Sequence, residues 1–263
     1  MTLRVGRIPY LSCEPFYFDM ERRGLQIVDL APSGLAQALE QGDIDAGLVP
    51  TRDCFRLEGP FRLLSGFCLA SIRQTGSVWL HTKRPLEALS NADIGVSSEA
   101  ATSRRLLEVL LTLKYQVQPR AYVTLDDSHD ACLFVGDQGL RHRAGLDAYP
   151  HRYDLGEEWT RWTGLPFVFA HWMVQADLDA KAVAQLEDAL YVGLQDWADG
   201  LFRFPQTRDD LLMRARDILT FTQGLRYFSG RPEQKSMQLF QHYLEQLPTP
   251  PAPIGDEMAE ERS

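Results

Sequence analysis

No apolar run in this chain approaches the roughly 20 residues that a helix needs to span a bilayer. The opening residues, MTLRVGRIPYLSCEP, contain no apolar signal-peptide core, and Cys13 is not preceded by one as a lipid-anchored cysteine would be. The expected location is therefore cytoplasmic, with no membrane partner. Cysteine is sparse: the four residues Cys13, Cys54, Cys68 and Cys132 form no CxxC pair. That spacing argues against a disulfide framework or a zinc site and for buried thiols. The six histidines show no HxxxH or HxH spacing, so no metal is expected. Positive charge is also in deficit, with 27 Lys and Arg against 36 Asp and Glu, a net charge of −9. This argues against a nucleic-acid scaffold, and an anionic ligand would have to be held by local groups. No repeat of solenoid period is present.

What is present is ordinary for a water-soluble domain: 263 residues, 44% hydrophobic and 24% charged. The terminal TPPAPIGDEMAEERS reads as a disordered tail, residues 249–263. Strand signals at Leu3–Ile8, Leu25–Leu30 and Ile44–Val49 alternate with helical stretches over 16–23 and 34–41. Ser33 is a candidate N-cap for the second of these, and Gly42 sits at its C′ position. Order β-α-β-α-β implies parallel strands flanked by helices. Leu63–Ile72 and Ser77–His81 then flank the turn-prone Arg73–Gly76 and suit long strands that cross to a second unit. There, Asp93–Val96 and Ala131–Val135 read as strands around a helix over 103–114. Beyond a crossing strand at 167–174, helices are expected over 179–199, 207–221 and 232–247.

Two α/β lobes joined by crossing strands describe a type II periplasmic-binding-protein-like fold with an interlobe cleft. The lobes are expected at 1–82 and 83–171, with 172–248 returning to the first. In such sheets ligands sit beyond the C-terminal ends of strands, which directs attention to the loops 10–15, 50–54, 97–103 and 136–140. The stretch YDLGEEWTRWTGLPFVFAHW, residues 153–172, is the most distinctive: a short helix, a Gly164/Pro166 hinge and an uncharged β-forming run covered on both faces.

That stretch, with RVGRIPYLSCEPFYF, GDIDAGLVPTRDCF, GVSSEAATSRRLLEVLL, ACLFVGDQGL and a helical LRYFSG, resembles the menaquinone biosynthetic enzymes of the futalosine pathway, and among them the chorismate dehydratases. The ordered set covers nearly all of residues 3–247. One departure stands out: the family usually carries Tyr-Leu-Asn-Thr in the first loop, where this chain has Tyr10-Leu11-Ser12-Cys13. Serine is shorter and lacks the amide's paired groups, which leaves the role of that position open. The resemblance implies chorismate as a dianionic substrate, 3-[(1-carboxyvinyl)oxy]benzoate and water as products, and no cofactor. It disfavours the sister cyclase of dehypoxanthine futalosine, which is expected to use a His base, because no His lies within 136–140.

Ser97 to Ser103 precede an apolar helix, so free N–H groups and the hydroxyls of Ser98, Thr102 and Ser103 form a carboxylate site without net positive charge. Ordinary N-capping is the plain alternative. Ser12 and its neighbour Tyr10 follow the first strand and face the expected cleft. Ser77 on the crossing strand suits the second carboxylate or the leaving oxygen. Gly136 and Asp137 end a buried strand; Asp137 either works on the substrate or caps the next helix, unless a substrate carboxylate is itself the base. Pro50 and Thr51 end the third strand at the pocket. Arg7, Arg52, Arg73 and Lys83 are possible charge partners that more often stay solvated. A solute-binding or sensor protein of the same fold is the alternative from another class.

Overall fold

The computed structural model describes residues 2–57, 59–203 and 207–248. The segment read as a tail lies outside them. Strand β1 (Arg4–Arg7) leads through α1 (Glu14–Tyr17) to β2 (Gln26–Asp29), α2 (Leu35–Glu40), β3 (Ala46–Pro50), α3 (Thr51–Leu57) and the long β4 (Phe61–Ser71). The chain then crosses to β5 (Trp79–Thr82), β6 (Asp93–Val96) and α4 (Ala101–Val109), which runs on as a π-turn over Leu110–Lys114. Next come β7 (Ala121–Val123), β8 (Ala131–Phe134), α5 (Gly136–Arg141), β9 (His151–Asp154) and α6 (Leu155–Thr163). It returns through β10 (Phe167–Gln175), α7 (Ala180–Arg203), α8 (Ala215–Gln223), β11 (Leu225–Phe228) and α9 (Arg231–Glu245).

Two sheets result, ordered β11-β4-β10-β3-β1-β2 and β7-β6-β8-β5-β9. Within them β2-β1-β3 and β7-β6-β8 are parallel, as expected where helices connect the strands. Strands β4, β10 and β11 pair antiparallel and extend the first sheet. The fold is the two-lobed, type II periplasmic-binding-protein-like arrangement. Each sheet carries its own apolar core. The first is built around Phe16, Trp172 and Leu48, and the second around Trp159, Leu80 and Leu107. Trp172 and Trp159 are wholly buried, each removing a large apolar area from water. Helix α9 adds Phe240 to the second core and also touches α3 and β10, so it spans the seam between the sheets.

Several local expectations change. Ser33 does not cap α2; residues 32–34 form a 3₁₀ turn and Gly34 occupies the N-cap. Gly42 does take the left-handed conformation expected after α2, with φ +72°. LRYFSG is not helical: Leu225–Phe228 is the edge strand β11, paired with β4. The helix expected from residue 207 begins only at Ala215, after a short 3₁₀ turn over Asp209–Leu211.

Candidate functional site

Loops from the C-terminal ends of parallel strands in both sheets converge on one cavity of about 660 Å³, its solvent opening included. The first sheet contributes Ile8, Tyr10, Ser12 and Cys13 after β1 and Pro50 at the end of β3. The second contributes Glu99, Thr102 and Ser103 after β6 and Gly136 after β8. Thr75 and Ser77 enter from the first crossing segment, and Leu69, Phe169 and Leu225 supply apolar wall. Ser12, Ser77, Thr102 and Ser103 are each about 5–6% exposed, so their hydroxyls are withdrawn from bulk water. No Lys, Arg or His lines the cavity among the described residues.

The ten sequence candidates separate cleanly. Tyr10, Ser12, Pro50, Ser77, Thr102, Ser103 and Gly136 share the cavity. Thr51 does not; it is fully buried and its Oγ1 donates to the Val168 carbonyl at 2.7 Å, tying α3 to β10. Ser98 is exposed in the turn before α4, outside the lining. Asp137 also lies outside it: Oδ1 accepts the Leu11 backbone N–H at 2.9 Å, and Oδ2 lies 3.8 Å from Arg208. It does not cap α5, which starts one residue earlier. Burial raises the Asp137 pKa, against the lowering pull of that N–H and of Arg208.

Tyr10 bridges the two lobes. Its ring lies against Gly136, where an added Cβ would meet ring atoms at 2.5–2.7 Å and φ is +56°. Only glycine suits both demands. The Tyr10 hydroxyl donates to the Glu99 carboxylate. Burial first, and then that carboxylate, raise the phenol pKa far above its usual value, so it stays protonated. A further bond across the seam runs from the Arg52 backbone N–H to Thr102 Oγ1 at 3.3 Å. Burial also pushes the Cys13 thiol up to about 12, so it is a neutral wall group rather than a nucleophile.

Behind the cavity, the buried Asp154 carboxylate accepts from the backbone N–H groups of Thr75, Gly76, Gly156 and Glu157 and from the Thr75 hydroxyl. It thereby caps α6 and fixes the crossing segment that carries Thr75 and Ser77. The Asp154-Leu155-Gly156-Glu157 pattern was the available signal for this cap. Glu99 had no such signal, because its partner is 89 residues away. Arg7 pairs with Asp29, and Lys83 donates to the His129 carbonyl. Arg104 and Arg105 pair with Glu108. Arg52 and Arg73 do not line the cavity.

Comparisons with known proteins bear on the fold and on the family. An alkanesulfonate-binding protein of Xanthomonas axonopodis pv. citri, solved with MOPS bound, superposes with TM-score 0.61 at 14% identity over 94% of each chain. A protein of Archaeoglobus fulgidus superposes with TM-score 0.70 at 13% identity over 93% of this chain and 97% of that one. At such identities the likeness is one of fold. In sequence, the chorismate dehydratase of Thermus thermophilus is 28% identical over 211 residues, 72% of this chain and 77% of that protein. The model of the menaquinone biosynthesis family matches residues 3–246; spanning both sheets and every loop of the cavity, that match makes this chain a member of the menaquinone biosynthesis family.

Proposed function

We propose that the protein is a chorismate dehydratase, a hydro-lyase that converts chorismate to 3-[(1-carboxyvinyl)oxy]benzoate and water at the start of the futalosine route to menaquinone. The observation that carries this reading is the cavity itself, lined by several hydroxyls and, among the described residues, by no Lys, Arg or His, on a chain of this family. Chorismate brings two carboxylates, a C4 hydroxyl and a removable C3 hydrogen. Losing the last two makes the ring aromatic, so the site need not supply driving force. It has to fix one ring conformer, polarise the leaving hydroxyl, and keep the enolpyruvyl arm out of the geometry of the competing Claisen rearrangement.

In this reading Thr102 and Ser103, with the first N–H groups of α4, hold one carboxylate. Ser77 takes the second carboxylate or the leaving oxygen, and Ser12 polarises the departing hydroxyl. Tyr10, Pro50 and Gly136 shape the wall around the ring. The one carboxylate among the described lining residues, Glu99, accepts from Tyr10, and Asp137 accepts from Leu11. The proton acceptor is therefore assigned to a carboxylate of chorismate, with the protein supplying position and dipoles. No cofactor is invoked, and the reaction compartment is taken as cytoplasmic.

Incubating the protein with chorismate and following ultraviolet absorbance tests the assignment. Loss of the diene band with stoichiometric enolpyruvyl benzoate is expected. Chorismate that binds and is recovered unchanged would instead mark a solute-binding protein, and turnover of dehypoxanthine futalosine alone would mark the sister cyclase.

A further inference from the structure

The 10–13 loop belongs to the first lobe, where Cys13 joins the core, yet two of its hydrogen bonds run to the second. Leu11 donates its backbone N–H to Asp137 Oδ1 at 2.9 Å, and Tyr10 donates its hydroxyl to Glu99. The Leu11 side chain is 1% exposed and packs with Leu140 of α5 and with Leu211, Met213 and Ile218. The loop is a closed turn, since the Cys13 N–H donates to the Tyr10 carbonyl at 2.8 Å. What moves Leu11 therefore moves Ser12.

We infer that Asp137 and Glu99 are positioning residues: together they dock the 10–13 loop across the cleft, set the Ser12 hydroxyl in the cavity and close its mouth. Neither need touch the reacting atoms. Asp137 answers a buried backbone donor, and losing that acceptor would leave Leu11 N–H unpaired. Glu99 holds Tyr10 over Gly136, where the ring can lie flat only because no Cβ intervenes. Arg208 reinforces the same corner, pairing with Glu14 just beyond the loop and with Asp210 while facing Asp137. The kinetic part of this inference rests on the chorismate dehydratase reading; the docking part does not.

Asparagine and glutamine keep an oxygen that accepts the same hydrogen bond but are useless as proton acceptors, and this separates docking from acid–base work. The experiment measures kcat and KM on chorismate for Asp137→Ala, Asp137→Asn, Glu99→Ala and Glu99→Gln. In parallel it follows N-ethylmaleimide labelling of Cys13, a cavity-lining thiol 1% exposed in this structure, by peptide mass spectrometry. Each alanine variant should lower kcat, about tenfold for the buried Asp137 bond and less for the exposed Glu99 bond, and should speed Cys13 labelling. Each amide variant should recover both readouts to within about threefold of wild type.

Asp137→Asn as slow as Asp137→Ala, with Cys13 still protected, would place Asp137 on the reacting atoms and overturn the inference. Alanine variants with wild-type kcat and wild-type labelling would overturn it equally. If wild type does not turn over chorismate, the functional assignment falls while the labelling arm still decides the dock. If Asp137→Ala fails to fold, the exposed Glu99 pair carries both readouts.

Discussion

A hydroxyl that faces a cavity rather than a fixed partner can serve a ligand at little cost to the fold. Ser103 is such a group, 6% exposed on the first turns of α4 and lining the cavity. Ser103→Ala should raise KM for chorismate by about three- to tenfold, the worth of one hydrogen bond. Its thermal midpoint should hardly move, since alanine is the better helix former. Equal KM with a lowered midpoint would give the hydroxyl to the fold instead. His81 on β5 shows the opposite economy: it is fully buried, and neither ring nitrogen has a hydrogen-bond partner among the described residues. Burial, then the nearby Arg152 and His142, lower its pKa from 6.5 to about 4. The unfolded chain thus takes up a proton first as pH falls. Stability is fully present above 6.5 and drains away toward about 4, by up to about 3 kcal/mol. His81→Phe should flatten that slope in urea titrations run between these pH values. At this scale the sequence exposed hydroxyls next to strand ends, where sheets of this kind place their ligands, but did not separate Thr51, which serves the fold, from those that line the cavity. It concealed Glu99 and the true partner of Asp137, since both contacts join loops distant in sequence.

At the scale of elements, the site depends on how a crossing segment is anchored. Asp154 collects five donors from two segments and so fixes the wall that carries Ser77 relative to α6. Asp154→Ala would orphan several buried N–H groups at once and is expected to cost about 2–4 kcal/mol in urea unfolding. A loss below about 0.5 kcal/mol, the lower end for a single cap, would show that the carboxylate is dispensable. The strands β8 and β10 were legible as largely apolar runs bounded by Gly, Pro or polar residues, and β1 by a weak alternation over Leu3–Ile8. Strands β7 and β9 were not: β7 has only three residues, and β9 reads His-Arg-Tyr-Asp, without an apolar pattern to mark it. Strand β11 carries a four-residue alternation that pairing with β4 turns into an edge strand; tertiary pairing, not local propensity, decided it.

For the whole molecule, the separation of net charge from site chemistry is the main consequence. The chain carries −9, and no cation lines the cavity among the described residues. A dianion would therefore approach against a repulsive field and be held by short-range dipoles. Salt screens the repulsion but barely touches buried hydrogen bonds. KM for chorismate should thus stay constant or fall as ionic strength rises; a steep increase would reveal an attracting cation. The two-lobed order was readable from alternating strands and helices, whereas the bridging position of α9 was not, because an amphipathic stripe does not say which core it joins.

The most direct measurement is a crystal structure of the protein with 3-[(1-carboxyvinyl)oxy]benzoate. The product should lie between the two sheets, one carboxylate at the start of α4 against Thr102 and Ser103, its ring beside Ser12 and Ser77, and no Lys or Arg side chain within reach. A product bound elsewhere, or clasped there by an arginine drawn in from the surface, would contradict the account.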